Sequence, residues 1–95
     1  MANVGTAGTS VNLAFNVAYT TTTDGYLIMN GGATAGSAVI VSIYGKNDSL
    51  ISTIFELTPV ANYGSCSATY VKKGAKLLVL RKDTGSDANF VPMTY

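Results

Sequence analysis

The chain has no histidine, no tryptophan, one cysteine, two prolines and only six basic and five acidic side chains in 95 residues. Without histidine it lacks the usual general base of nucleophilic catalysis and the commonest nitrogen ligand for metals. Cys66 has no second cysteine to join, so an intrachain disulfide is excluded. By residue type Cys66 reads as a small, buried strand side chain, with an intermolecular bridge or a reactive thiol as alternatives. No apolar run approaches the ~20 residues that cross a membrane. Met1-Ala2-Asn3-Val4-Gly5 has neither the basic residues nor the long apolar core of a secretory signal. A soluble product made in the cytoplasm, with no membrane partner, is the resulting expectation.

Other routes to chemistry are equally thin. Glycoside hydrolysis needs two carboxylates facing each other across a cleft, whereas Asp24, Asp48, Glu56, Asp83 and Asp87 fall mostly in turn-forming stretches. Nothing around Lys72 to Lys76 has serine–lysine spacing. The stretch Asp83-Thr84-Gly85-Ser86-Asp87-Ala88-Asn89 offers several oxygens to a hard cation. It lacks the ligand spacing and closing glutamate of an EF-hand, and reads as a hairpin loop. No enzyme activity, catalytic residue, cofactor or metal ligand is expected. A net charge of +1 gives no global field for nucleic acid. Lys72, Lys73, Lys76, Arg81 and Lys82 crowd together with no aromatic among them. That suits a solvated edge guarded by lysines better than a groove for single strands.

What is present is β chemistry. A chain of this length makes one domain and buries about two-thirds of its unfolded surface. Residues 1–10 are small and polar, and read as a flexible arm unless a partner orders them. From 11 onward, Val11, Leu13, Phe15, Val17 and Tyr19 alternate with Asn12, Ala14, Asn16 and Ala18. Period two predicts a half-buried strand from Val11 to Tyr19. Its second face carries no charge, so Asn12, Ala14, Asn16 and Ala18 become candidates for contact with another subunit or a larger assembly. Asp24-Gly25 predicts a turn with positive φ at the glycine. Further strands follow at 26–29, 38–44, 50–57, 65–71, 76–82 and 90–93, separated by glycine-, proline- and asparagine-rich turns. Ala38 to Tyr44 is continuously apolar and predicts a central strand. Residues 11–95 thus predict an all-β domain, a seven- to eight-stranded antiparallel sandwich with no substantial helix.

Several turns occur in a familiar order. Tyr19-Thr-Thr-Thr-Thr-Asp24-Gly25-Tyr26-Leu27 leads into one strand, and Ile43-Tyr44-Gly45-Lys46 ends another. Val71-Lys72-Lys73-Gly74 leads into a third, and Phe90-Val91-Pro92-Met93 closes the chain. In this the sequence resembles the small jelly-roll domains on bacteriophage fibres and virion surfaces, over most of its length after residue 19. It departs where Ala75 follows Gly74 in place of an acidic residue, and the ten arm residues are too few to form a fibre shaft, so none is expected. The resemblance implies a free-standing virion-surface sandwich, commonly a homotrimer, of capsid-decoration (cement) or head-fibre type. Its partners would be copies of itself and a major capsid or other virion protein, on particles assembled in the host cytoplasm. A second expectation, from the residues, is an adhesin that stacks host-surface glycans on tyrosines. Among Tyr26, Tyr44, Tyr63, Tyr70 and Tyr95, the turn residue Tyr63 is the one singled out for ligand contact.

Overall fold

The computed structural model describes residues 5–95. They form strands β1 (Thr6–Ala7), β2 (Val11–Asn12), β3 (Tyr19–Thr20), β4 (Gly25–Asn30) and β5 (Ala38–Tyr44), followed by β6 (Leu50–Leu57), β7 (Cys66–Val71), β8 (Lys76–Lys82) and β9 (Asp87–Thr94). A single 3-10 turn, Lys46–Asp48, is the one helical segment among the described residues. Two antiparallel sheets result. In one, β1 and β2 lie along one edge of β9, and β4 and then β7 follow on the other side. The second runs β3-β8-β5-β6. Counted as one interrupted strand, β1 and β2 bring the total to eight in two four-stranded sheets. Apart from the β5–β6 hairpin, every connection from β2 onward crosses from sheet to sheet, which is jelly-roll connectivity.

Alternation explains the packing. Val39, Val41 and Ile43 of β5 meet Leu77 and Val79 of β8, Leu27 and Met29 of β4, and Phe90 of β9 in one core. Phe90, the largest fully buried side chain, stands 5.9 Å from the Tyr19 ring. The five buried polar residues are each hydrogen-bonded, whereas the buried hydroxyls of the half-buried Thr23 and Ser67 have no partner among the described residues. Thr21 Oγ1 donates to Lys72 O at 2.9 Å, Ser37 Oγ to Thr84 O at 3.0 Å, and Ser86 Oγ to Asp83 O at 2.7 Å. Ser42 and Thr53 share a bond of 2.9 Å, and Thr58 Oγ1 reaches Gly32 O at 2.5 Å. The all-β sandwich and the central position of β5 agree with the sequence reading.

Four local expectations are corrected. Val11 to Tyr19 is not one strand: β2 belongs to one sheet, β3 to the other, and the chain crosses between them. Asn16 takes φ +59°, Val17 N–H bonds back to Ala14 O at 3.3 Å, and Phe15 and Val17 are exposed. The arm is strand-like from Thr6 to Gly8. Thr6 pairs with Thr94, Ala7 with Met93, and Gly8 N–H donates to Pro92 O at 2.7 Å. Residues 1–4 lie outside the described part. Gly25 has no positive φ but is the first residue of β4, where a Cβ would collide with Val91 O and the Phe90 ring. Cys66 is exposed on β7, because its partner Asn30 faces outward too.

Candidate interaction surface

Paired residues on neighbouring strands share a face, so register decides what each outer surface presents. On β4, Leu27 and Met29 point into the core, leaving Tyr26, Ile28 and Asn30 outside. Tyr26 pairs with Tyr70 on β7 and Val91 on β9; Ile28 pairs with Ala68 and Asn89; Asn30 pairs with Cys66 and Asp87. The outer face of this sheet is therefore graded. It is aromatic at one end, small in the middle and amide-rich at the other, and Asp87 is its only strand-borne charge.

The aromatic end is a cluster that sequence reasoning missed. The Tyr26 and Tyr70 rings meet edge-on at 5.7 Å, and Tyr95 reaches the Tyr26 hydroxyl, which raises its own pKa. Asp24 accepts the Lys73 backbone N–H at 2.8 Å. That bond, then the Tyr70 hydroxyl, hold the Asp24 carboxyl below its ordinary value, and the same carboxylate raises the Tyr70 phenol. No periodicity could have announced this trio. It depends on the long-range register of β4 with β7 and on the last residue of the chain.

At the opposite end, polar side chains are committed within the molecule. Asn12 Nδ2 donates to Asp87 Oδ1 at 2.7 Å and to Asn89 Oδ1 at 3.0 Å. Lys82 Nζ donates to Asn12 Oδ1 at 3.1 Å and Leu13 O at 2.9 Å, and stands 3.4 Å from Asp87. Burial pushes the Asp87 carboxyl up, but the bond from Asn12 and the Lys82 charge outweigh it, and its pKa falls. This network staples the segment after β2 to β8 and β9. Of the four contact candidates, Asn12 serves that staple, Asn16 forms the left-handed turn, and Ala14 and Ala18 are exposed on the crossover. The structure does not bring them together on one strand face.

Tyr63 is 73% exposed in the β6–β7 loop. It stands at the amide end of β4, apart from the aromatic cluster. Next to it Asn30, Gly32, Ala33, Asn62, Gly64 and Gly85 line an open hollow of about 410 Å³. A second hollow, about 270 Å³, is lined by Gly45, Lys46, Ile51, Lys72, Lys73, Gly74 and Ala75. Among the described residues no three potential metal-ligating side chains converge. Asp83 and Asp87 of the oxygen-rich stretch are turned to Arg81 and Asn12 respectively.

The second sheet mixes apolar and basic side chains on its outer face. Ile40 and Tyr44 face outward on β5, opposite Phe55 and Leu50 of β6 and Arg81 and Lys76 of β8, while Ser42 between them is buried against Thr53. Lys76 lies over the Tyr44 ring at 5.1 Å and pairs with Asp48 at 2.6 Å. Large apolar side chains are thus exposed on both broad faces and on the crossover. Comparison with protein-family models, curated proteins and solved structures finds no match.

Proposed function

We propose that this chain is a non-enzymatic structural protein of the bacteriophage virion surface, a capsid decoration or head-fibre component that assembles with its own copies. The observation that carries the reading is the outer face of the β4, β7 and β9 sheet. Tyr26, Ile28, Ala68, Tyr70 and Val91 make a surface without charge, and β7 presents it on exposed strand positions. Burying such a face against another subunit gains about 25 cal/mol per Å². The resemblance noted above adds the trimer and the virion partner, a major capsid or other virion protein. Of the residues that carry the resemblance, Asp24 precedes β4 and Gly25-Tyr26 begins it, Lys72-Lys73-Gly74 turns β7 into β8, and Phe90 to Met93 lies within β9.

The test is molar mass by light scattering over a concentration series, followed by co-sedimentation with phage particles. We expect an oligomer, and expect Ala68→Glu, a charge placed at the centre of the face, to reduce its mass without lowering the melting temperature. A wild-type chain that stays monomeric and does not sediment with particles overturns the reading.

The tyrosine cluster favours one other reading, a glycan-binding adhesin, since exposed rings beside a carboxylate suit sugar stacking and hydroxyl recognition. Glycan-array binding that is lost in Tyr70→Ala or Tyr63→Ala would support it. An empty array removes it.

A further inference from the structure

The basic side chains divide into two sets. Lys76, Arg81 and Lys82 stand 2.6, 2.7 and 3.4 Å from Asp48, Asp83 and Asp87. The other three, Lys46, Lys72 and Lys73, form no ion pair among the described residues, and all three line the hollow of about 270 Å³. They reach it from separate turns, Lys46 just after β5 and Lys72 with Lys73 between β7 and β8. The two remaining carboxylates are committed elsewhere. Asp24 lies within the field of Lys72 and Lys73 but accepts the Lys73 backbone N–H and the Tyr70 hydroxyl, and Glu56 accepts from Ser65. Between the lysines the lining is carbon, from Ile51 and the buried Ala75. A β-bulge puts Ile51 there: Ile43 pairs with Ser52 and Tyr44 with Leu50, so Ile51 drops out of the ladder. Bulges re-aim side chains in this way, often beside sites. The Ile51 side chain lies over Gly45, where a Cβ would stand 2.9 Å from its Cδ1, and so walls the hollow on that side.

We propose that this hollow binds a phosphate monoester on a compact carbon body, of the sugar-phosphate kind. Charge selects the anion. Three ammonium groups around one hollow repel one another, and a monoester brings about −1.5 to −2 at neutral pH, whereas a carboxylate or a phosphodiester brings a single charge. Residue type agrees, since lysines bind a tetrahedral oxyanion as point charges, and the planar fork that favours carboxylates belongs to arginine. Ile51 and Ala75 give contact to carbon that inorganic phosphate cannot use. The volume limits the ligand, being just under the range of about 300–1,000 Å³ usual for drug-sized molecules. This site goes beyond the virion reading and is independent of it.

Backbone amide shifts of the full chain, read by NMR at low salt, test the assignment. Glucose 6-phosphate should move the amides of Gly45, Lys46, Ile51 and residues 72–75 saturably. Inorganic phosphate should move the same amides with weaker affinity, and glucose should move none. Phosphate-substituted dextran presents the ester on a polymer: saturable shifts with either form support the site, and the tighter of the two identifies the source. Lys46→Gln, Lys72→Gln and Lys73→Gln together change only exposed side chains, so the melting temperature should hold. Affinity for glucose 6-phosphate should fall about a hundredfold, three exposed charge pairs near the top of their usual worth. Ile51→Ser should weaken glucose 6-phosphate and leave inorganic phosphate unchanged. No saturable shift with any ester, or equal affinity in the triple variant, overturns the proposal. So does inorganic phosphate binding as tightly as the sugar ester, or single-stranded oligothymidylate binding more tightly than both. The virion reading is decided separately, by mass and co-sedimentation.

Discussion

At Asp83 one carboxylate ties two strands together. It accepts from Arg81 Nη2 at 2.7 Å and Nε at 3.1 Å, and from the Ala38 backbone N–H at 3.0 Å. The Asp83 N–H donates to Ala38 O at 3.0 Å in return, so the end of β8 is clipped to the start of β5. The Arg81 guanidinium, then the Ala38 N–H, hold this carboxyl below its ordinary pKa, and Asp24 is lowered in the same sense. A folded-state pKa below the unfolded value means that the unfolded chain takes up protons first as acid is added. The stability these groups supply is therefore complete above the ordinary carboxylate pKa and drains away as pH falls through the lowered one. Thermal melts should be level from pH 7 to 5 and fall below pH 4. Asp83→Asn should melt lower at pH 7 and lose less between pH 4 and 2. An acid limb as steep in Asp83→Asn as in the wild type would place the protons elsewhere.

The crossover from Leu13 to Ala18 shows where sequence patterning stops being informative. Its alternation is real, but two surfaces use it. Leu13 is in the core, Tyr19 packs beside Phe90, and Phe15 and Val17 between them stand in solvent. What breaks the strand is local: Asn16 adopts the left-handed conformation and its N–H donates to Val79 O at 2.9 Å. Asparagine tolerates that conformation better than other non-glycine residues, which is the one hint the sequence carried. Asn16→Gly should be neutral or slightly stabilising, while Asn16→Val should cost about 1–2 kcal/mol. Urea midpoints at equal m-values check both. β4 to β8 were readable because their inward residues face one core and glycine or proline turns bound them. The start of β9 at Asp87 was not, since Asp87 and Asn89 use the outer face. The β1 pairing escaped because Thr6-Ala7-Gly8 holds β9 by backbone bonds alone, with no apolar pattern to read. The tyrosine cluster escaped for another reason, being a product of register between strands some 40 residues apart.

Across the whole molecule, a slab of 40 × 36 × 19 Å presents two broad faces and very little charge. Lys76–Asp48, Arg81–Asp83 and Lys82–Asp87 neutralise one another locally, and pairs this exposed contribute little energy. With a net charge of +1, copies neither attract nor repel one another over distance. Assembly of such a molecule has to come from apolar burial and backbone pairing, neither of which 1 M salt screens. The association midpoint, read by light scattering or analytical ultracentrifugation, should be the same at 0.1 and 1 M NaCl. It should shift to lower protein concentration in ammonium sulfate, which strengthens burial by its exclusion from protein surface. A tenfold weakening at 1 M NaCl would mean that charge drives assembly. Lys46, Lys72 and Lys73, which form no ion pair among the described residues and surround the smaller hollow, would then be the groups responsible. Salt thus separates a particle held by its faces from one held by its basic corner.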